Sequence, residues 1–555
     1  MNSYKKWSCL LLVLIVLLGA CSSESDSNRL PTLGPTVTPI PHATATFIPM
    51  QARPDLPTVD WSDVSDMYAA MRDDYRGDID KVLGWANRYY IEANLELGPT
   101  VAIVSGSERV LYTNWHEAPI PEIVFRLYPN FSDTGSNLRV TNVQVEGQPV
   151  NPVLSIRETV LTIPLDQPLM PGDAVEISMD FMLTHERGVL TTDYGFSLQQ
   201  FQMLNWFPAL SVYEGPEKGW WKNRLPANNV DNFYSEIALH DIKLTHAEKV
   251  VVAISGVTID TEVHDDETVT EHIVTGPQRD NFMVASAELG KISDVVDGTT
   301  VNVYFFAGGE RAAEWGMEVG LRSISVYNRA FGDFPYAEMD IVQAYHPSAV
   351  EFPGITMIST DAWSNGSPTM ELYIAHEVGH QWWYGMVGNN NGEEPWLDES
   401  LTSYTEGVYY RNAYNDNEER YQLWLDNERN IFTSFLANGG NNQPMNQTSS
   451  QLGGGLGIMV YVKGTNFYYQ LEQLLGRDVF MQALRSYLAD MKYKLTSGYD
   501  ILTHFEAASG QDLDAFFYEW VGYFDGLDPA VYDPDYVAEA PPADTEAAQP
   551  FLIGG

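Results

Sequence analysis

The segment HEVGHQWWYGMVGNNNGEEPWLDES, near the middle of the chain, begins with His376, Glu377 and His380 and reaches Glu399 nineteen residues after the second histidine. His376 and His380 are four residues apart, so on a helix both imidazoles project from the same face. Neutral imidazoles are good zinc ligands, and HExxH adds a glutamate, Glu377, that faces the same region without binding the metal. The segment therefore predicts a helix that holds a zinc ion with a base beside it. Two hydrogen-bonded histidines on an ordinary helix are the alternative.

A third ligand is expected from the next helical segment. The polar stretch GNNNGEEP can turn the chain, and WLDESLTSYTEGVYY then has the character of a second helix. Glu399 on that segment completes a set of two histidines and one carboxylate, which leaves a fourth position for water. Glu406 lies seven residues further on, two turns along the same face. It either holds a ligand imidazole in place or is a solvated helix residue. We expect one zinc ion per chain.

The elements that must position these residues fall into two predicted domains, because 555 residues are too many for one core. A short helical pattern over residues 63–90 precedes a period-two pattern from about Gly98 to Phe306, after which the pattern becomes helical. In VEISMDF, for example, one face carries Val175, Ile177, Met179 and Phe181. We therefore expect an α+β multidomain fold, with a β-sandwich-like domain over 58–306 and a mainly helical domain over 307–525.

The two ends of the chain have the composition of targeting and linker segments. MNSYKKWSCLLLVLIVLLGACSS has two lysines, a short apolar run and then Cys21. It predicts a signal peptide over 1–20. Its end resembles a bacterial lipobox, which would make Cys21 the lipidated first residue of the mature protein; an ordinary cleaved signal or a simple membrane anchor is the alternative. Residues 21–57 are expected to be a Pro/Thr/Ser-rich tether, and 526–555 an acidic disordered tail.

Charge and location restrict the partners. The formal net charge is −44, from 75 acidic and 31 basic side chains, so nucleic acid is not an expected partner because binding it needs clustered Lys and Arg. The expected location is outside the cytoplasm, with the chain anchored to a bacterial membrane as a lipoprotein. Membrane contact is then expected through the N-terminal lipid rather than through surface charge.

The zinc motif carries a resemblance to a known family. HExxH, followed by eighteen residues and the glutamate of WLDES, resembles the aminopeptidase N family of zinc metallopeptidases, a gluzincin group with a thermolysin-like catalytic domain. That family usually has W-L-N-E-G here, so Asp398 and Ser400 depart from its pattern. VYVKGTNFYYQLEQLLG resembles the family's Y-x-K-G segment and places its catalytic tyrosine at Tyr461. The resemblance covers roughly residues 65–525.

A weaker match lies upstream. Of the family's G-x-M-E-N motif only the glutamate is found, as Glu351 in SAVEFPG. The resemblance implies that Glu351 binds the free amine of a substrate; a surface-loop carboxylate is the alternative. It also implies that Glu377 acts as general base and then as proton donor, and that the Tyr461 hydroxyl donates to the oxyanion. The expected function is a zinc aminopeptidase acting on peptides outside the cytoplasm. A zinc endopeptidase or a non-catalytic surface lipoprotein is the alternative.

Overall fold

The computed structural model describes residues 57–532, apart from 131–134, 192, 198, 223–232, 346–347 and 415–417. The predicted signal peptide, Cys21, nearly all of the tether and the tail from residue 533 onward lie outside the described residues. Among the residues that are described, no helix combines the length and the apolar composition needed to cross a membrane.

The first part of the described chain is built from strands. They are β1 (Asn87–Leu97), β2 (Val101–Thr113), β3 (Ile120–Arg126), β4 (Ser136–Val145), β5 (Gln148–Pro149), β6 (Val153–Ser155), β7 (Val160–Leu169), β8 (Ala174–Glu186), β9 (Tyr194–Phe196), β10 (Phe201–Leu204), β11 (Ala209–Leu210), β12 (Ala238–Ala247), β13 (Val251–Ile254), β14 (Val257–Val263), β15 (Thr268–Val274) and β16 (Phe282–Ser286). An eight-stranded sheet has the order β14-β15-β12-β1-β2-β8-β4-β5. Two four-stranded sheets have the orders β13-β16-β10-β9 and β11-β3-β7-β6.

Alternating burial explains why this part of the sequence forms sheets. In β8 the apolar side chains from Val175 to Phe181 are buried and the intervening polar ones are partly exposed, which confirms the face predicted from VEISMDF. Each such apolar side chain contributes about 1.5–3 kcal/mol when it leaves water. The apolar faces of the sheets meet in one core, where Phe181 lies 6.2 Å from the ring of Trp206. The expected β-sandwich-like N-terminal domain is therefore confirmed.

A separate five-stranded sheet leads into the helical part. Its strands are β17 (Leu289–Val296), β18 (Thr299–Phe306), β19 (Glu338–Ala344), β20 (Ala349–Phe352) and β21 (Ile355–Ser359), in the order β17-β18-β19-β21-β20. The central strands β18, β19 and β21 are parallel, whereas β20 is antiparallel to β21 and forms one edge of the sheet. The expected domain boundary after residue 306 falls at the end of β18, whose neighbours in the sheet, β17 and β19, lie on opposite sides of that boundary.

The helices follow mostly after this sheet begins. They are α1 (Gly77–Val82), α2 (Glu310–Ala330), α3 (Pro368–Gly379), α4 (Trp396–Asn412), α5 (Glu418–Ala437), α6 (Ser449–Leu452), α7 (Gly464–Leu475), α8 (Arg477–Met491), α9 (Gly498–Ser509) and α10 (Asp514–Trp520). The helices α2, α3, α4, α7, α8 and α9 contribute apolar side chains to a second core, shared with the five-stranded sheet. The mainly helical second domain is thus as expected.

One buried arginine joins the two parts of the molecule. Arg279, between β15 and β16, donates from Nε to the carbonyl of Tyr384 at 3.0 Å and from Nη2 to the carbonyl of Lys494 at 2.6 Å. The adjacent Asp280 accepts a hydrogen bond of 2.5 Å from the Tyr384 hydroxyl. Because Tyr384 lies four residues after His380, these contacts fix the chain just beyond the predicted zinc helix.

Candidate metal centre and active site

Helix α3 presents the two histidines. Ser367 caps its first turn through its side chain, and Pro368 occupies the first helical position, where its missing N–H is not needed. The helix ends at Gly379, one residue before His380, yet the His380 N–H still bonds to the carbonyl of His376 at 3.2 Å. The helical geometry therefore continues through the second histidine, and both imidazoles share one face.

Helix α4 crosses α3 closely at Gly379. A Cβ added to Gly379 would lie 3.1 Å from Cγ2 of Thr402, so the glycine allows the two helices to approach. Trp396, at the start of α4, is fully buried and anchors that end in the core. Glu399 lies in the first turn of α4, which brings its carboxylate next to the two imidazoles.

Three ligand atoms converge on one point. Nε2 of His376 lies 3.1 Å from Oε2 of Glu399, and Nε2 of His380 lies 3.2 Å from the same oxygen. The two Nε2 atoms are themselves 3.1 Å apart. Three ligands on one tetrahedral zinc ion, with bonds of about 2.0–2.1 Å, would be about 3.3 Å from one another. The triangle therefore has nearly the size that zinc requires.

A carboxylate and an indole hold the first imidazole. Oε1 of Glu406 lies 2.8 Å from Nδ1 of His376, and Oε2 of Glu406 accepts a hydrogen bond of 2.9 Å from Nε1 of Trp424 on α5. Because a carboxylate can only accept, the proton of His376 belongs on Nδ1, and the lone pair of Nε2 faces the ligand triangle. Of the two alternatives for Glu406, the structure places it against a ligand imidazole rather than in solvent.

The second imidazole is oriented in the same way. Nδ1 of His380 lies 3.2 Å from the carbonyl oxygen of Trp383, which can only accept, and 3.2 Å from Oγ1 of Thr402. Its proton therefore also belongs on Nδ1. Two Nε2 lone pairs and a carboxylate oxygen then face one another, an arrangement that repels itself unless a cation lies between them. The donor set and its orientation fit zinc, so His376, His380 and Glu399 are the residues that would hold it.

The electrostatics of the site favour positive charge. Burial alone would raise the pKa of Glu399, but His380 and His376 hold it well below its usual value. Burial would lower the pKa of His376, yet its hydrogen bonds to Glu399 and Glu406 raise it well above its usual range. A site with these properties attracts a cation, either a proton or a metal ion.

Glu377 lies beside the ligands without joining them. Its side chain is buried, and its Oε2 has no hydrogen-bond partner among the described residues. Burial raises the pKa of Glu377 to about 8, and the charges of Glu399 and Glu406 act in the same direction, against that of His376. A buried carboxylate oxygen that no side chain uses is suited to contact a water molecule or a substrate atom.

Tyr461 reaches the ligand set from a π-helix over Gly457–Lys463. Its hydroxyl donates to Oε1 of Glu399 at 2.5 Å, and its ring stacks on His376 with centroids 5.9 Å apart. Single π-helical turns are rare and occur often at functional sites. The structure therefore brings the predicted tyrosine to the metal centre.

The two departures from the family pattern both have structural partners. Asp398 is buried, and its two oxygens accept hydrogen bonds from the side-chain amides of Asn389 at 3.0 Å and Asn391 at 2.6 Å. Ser400 donates to the carbonyl of Val460 at 2.6 Å, directly before Tyr461. Asp398 thus orders the loop between the two ligand helices, and Ser400 links α4 to the π-helix.

Glu351 belongs to the site and not to a surface loop. It lies on β20, is 2 % exposed, and its Oε1 is 3.9 Å from Nδ1 of His380. One ligand-type atom from each of Glu351, Glu377 and His380 lies within 4.8 Å of the others. The residues predicted for the site thus converge, except Cys21, which lies outside the described residues.

The sequence alone did not identify several supporting residues. Thr402 lies one turn after Glu399 on α4, so its spacing was a usable signal. Trp424 and the carbonyl of Trp383 gave no such signal, because their contacts depend on how α5 and the chain after α3 fold back. No sequence pattern indicated a role for Gln381 either, although it directly follows the ligand His380.

Comparisons with known proteins agree with this geometry. The model of the family described as Peptidase family M1 domain matches residues 315–520. Aminopeptidase N of Lactococcus lactis subsp. lactis is 22% identical over 423 residues, which cover 68% of this chain and 48% of that protein. The puromycin-sensitive aminopeptidase of Caenorhabditis elegans is 23% identical over 308 residues, 51% of this chain and 32% of that protein. The chain thus spans about half, or less, of the length of these relatives.

Solved structures have a similar fold over most of the chain. The M1 zinc metallopeptidase from Deinococcus radiodurans has a TM-score of 0.59 at 16% identity, and the match covers 84% of this chain and 96% of that one. A mutant of that enzyme bound to a Tyr-Ser-Ala substrate has a TM-score of 0.56 at 17% identity, covering 80% and 95% of the two chains. The expected fold class is confirmed. The family match and the triangle of His376, His380 and Glu399 agree with the expected peptidase chemistry and zinc cofactor.

Proposed function

We propose that the chain, which matches the Peptidase family M1 domain and resembles aminopeptidase N relatives, is a zinc aminopeptidase that removes N-terminal residues from peptides. The observation that carries the proposal is the position of Glu351, whose Oε1 lies 3.9 Å from Nδ1 of His380. A buried carboxylate so close to the ligand set can pair with the ammonium group of a peptide only when the peptide's first amide lies at the ligands. Cleavage at this first peptide bond then removes one residue.

The residues of the centre have distinct tasks in this reaction. His376, His380 and Glu399 would hold the zinc ion, which would supply Lewis acidity to the carbonyl and to water. Glu377 accepts the proton of the attacking water through its buried carboxylate and then delivers it to the departing amine. Tyr461 donates its hydroxyl proton in a hydrogen bond to the oxygen on which negative charge develops, a contribution of about 3 kcal/mol for comparable donors.

Short peptides with a free amine are the proposed substrate class. The amine pairs with a carboxylate at Glu351, and the overall charge of −44 attracts cationic ends. The Tyr-Ser-Ala substrate of the Deinococcus neighbour is a peptide of this kind. An endopeptidase with the same zinc chemistry would not need the free amine. The two functions therefore differ in whether the substrate must have a free N-terminus.

A pair of reporters that differ only at the N-terminus separates these functions. Zinc-loaded protein is assayed with a leucyl reporter and with the same compound acetylated on its amine. The aminopeptidase proposal expects kcat/KM to be at least about a hundredfold higher for the free amine, because the acetylated compound cannot pair with Glu351. Equal rates, or cleavage only inside longer acetylated peptides, would establish the endopeptidase instead.

For the location, we propose a lipid anchor at Cys21 that holds the enzyme on a bacterial membrane outside the cytoplasm. Support comes from the two lysines, the apolar run and the Leu-Gly-Ala-Cys ending that precede the tether. Feeding cells an alkyne-labelled fatty acid should label the wild-type chain but not Cys21→Ser. An unlabelled wild type that remains in the soluble fraction would contradict the anchor.

A further inference from the structure

Gln381 directly follows the ligand His380, and its side chain forms two hydrogen bonds with the turn between β20 and β21. Its Nε2 donates to the carbonyl of Phe352 at 3.0 Å, and its Oε1 accepts from the N–H of Gly354 at 2.9 Å. Gln381 is 1 % exposed, so water does not compete for either bond. The contact joins the end of the zinc helix to the hairpin that carries Glu351.

The turn is built so that only a carboxamide satisfies both of its ends. Phe352 pairs with Ile355, which leaves Pro353 and Gly354 as the two loop residues, and Gly354 has a φ of 76° that favours glycine. Proline has no N–H, so Gly354 supplies the N–H donor of the two loop residues, and Gln381 meets this donor together with the carbonyl of Phe352. A carboxylate could accept but not donate, and an apolar side chain could do neither.

Other contacts also hold the hairpin, among them the hydrogen bond of 2.8 Å from the N–H of Asp340 to the carbonyl of Gly354. β20 pairs with β21 on one side, and no strand pairs with its other side within the described residues. The ring of Phe352 also stacks on Phe282 of the N-terminal domain, with centroids 3.9 Å apart. Both strands of the hairpin also pack against α3, and Oε1 of Glu351 lies 3.9 Å from Nδ1 of His380. The two bonds of Gln381 add a directional link between the turn of the Glu351 hairpin and the residue next to the ligand His380.

We propose that Gln381 is a positioning residue that sets the distance between the Glu351 carboxylate and the metal ligands, and so fixes the one-residue register of cleavage. The inference rests on the proposed aminopeptidase function, because it assigns to Gln381 the placement of the amine-binding group. If these two bonds are removed, the hairpin should become more mobile and the protein should bind the substrate amine more weakly. Zinc binding should remain.

Three measurements on Gln381→Met test this in the zinc-loaded full chain. Methionine keeps the volume and removes both hydrogen bonds. Hydrogen–deuterium exchange should rise in the peptide spanning 349–359, since the Gly354 N–H loses its acceptor. The dissociation constant of leucinamide, measured by calorimetry, should rise at least about tenfold. KM for a free-amine reporter should rise with it, whereas kcat should change less and zinc content should remain at one per chain.

A matched control is the buried amide of Asn328 on α2, which also donates and accepts: to Asp297 at 3.0 Å and from the N–H of Phe334 at 2.8 Å. Asn328→Leu removes two similar bonds, neither of them to the hairpin, and should leave leucinamide affinity unchanged. If Gln381→Met does not fold, Gln381→Glu serves instead: it keeps the bond to Gly354, loses the one to Phe352, and should still weaken leucinamide binding.

The outcomes separate the two proposals. If the wild type neither binds leucinamide nor prefers free-amine reporters, the aminopeptidase proposal fails. If the wild type does both, and a folded Gln381 variant matches it in exchange and in leucinamide affinity, the positioning role is overturned. Loss of zinc together with an unchanged KM would equally overturn it, because Gln381 would then support the zinc helix and not the hairpin.

Discussion

Two regions meet at the active centre, and they are assembled in different ways. The zinc ligands come from consecutive helices α3 and α4, within the 24 residues from His376 to Glu399. Glu351 comes from β20, at the edge of a sheet, and reaches the same point only because the hairpin is held against α3. The first region is organised by local spacing and the second by tertiary contacts. The geometry of the zinc ligands should therefore tolerate changes in the surrounding fold, whereas the position of Glu351 should depend on them.

The largest expected effect lies in the helical region. Glu377→Gln keeps the size of the side chain but removes the proton acceptor, so kcat should fall by about 10³, within the range for a lost general base. Zinc content, measured by atomic emission, should stay at one per chain because Glu377 is not in the ligand triangle. A variant that keeps full turnover would show that another group accepts the proton.

A substitution in the hairpin should change which substrates the protein prefers and should leave the chemical step largely unchanged. Glu351→Gln removes the charge that pairs with the substrate amine, so kcat/KM for a free-amine reporter should fall by about 10², mainly through KM. The acetylated reporter should be cleaved no more slowly than by the wild type. If both reporters lose activity equally, the carboxylate serves the metal centre, and the contrast between the two regions breaks down.

A smaller effect, on zinc affinity, is expected at Glu406, which holds the ligand His376 from outside the ligand set. Glu406→Gln weakens the acceptor at Nδ1 of His376, and such changes outside the ligand set cost about 10- to 100-fold in metal affinity. Competition with a fluorescent zinc chelator measures this. The matched control is Glu419→Gln on α5, an exposed carboxylate with no described hydrogen bond to a ligand imidazole, which should leave zinc affinity within about twofold.

The helical region was largely predictable for a physical reason. A helix repeats every 3.6 residues, so the offsets of His376 and His380, and of Glu399 and Glu406, determine which side chains share a face. Only the turn between α3 and α4 had to be assumed. The close approach of α3 and α4 at Gly379, where Thr402 packs, follows from the fold and not from this repeat.

Tertiary contacts decided the features that the sequence did not predict. The helical pattern over residues 63–90 gives way at Asn87 to β1, whose pairing with β2 and β12 outweighs local preference. The π-helix around Tyr461 has no sequence period of its own, and the contacts of Gln381 and Trp424 follow from packing. Position in the chain suggested Glu351, but only the fold of the hairpin brings it to His380.

The smallest expected effect concerns the packing that holds Tyr461 against α4. An alanine Cβ at Gly464, the first residue of α7, would overlap Oγ and Cβ of Ser400 and lie 2.9 Å from its Cα. Overpacking costs about 1–3 kcal/mol, and alanine returns up to about 1 kcal/mol of helix propensity, so Gly464→Ala should lower the free energy of unfolding by about 1 kcal/mol. Urea unfolding of the zinc-loaded chain measures it.

Gly454 provides the matched control, because an added Cβ there meets nothing within 4 Å and its backbone has no positive φ. Gly454→Ala should leave the free energy of unfolding unchanged or raise it slightly, since alanine restricts the unfolded chain more than glycine does. If Gly464→Ala is equally neutral, the link from Ser400 to the π-helix can yield without cost. Tyr461 would then be positioned as Glu351 is, by adjustable tertiary contacts, and the division between a rigid helical region and an adjustable hairpin would not extend to the tyrosine.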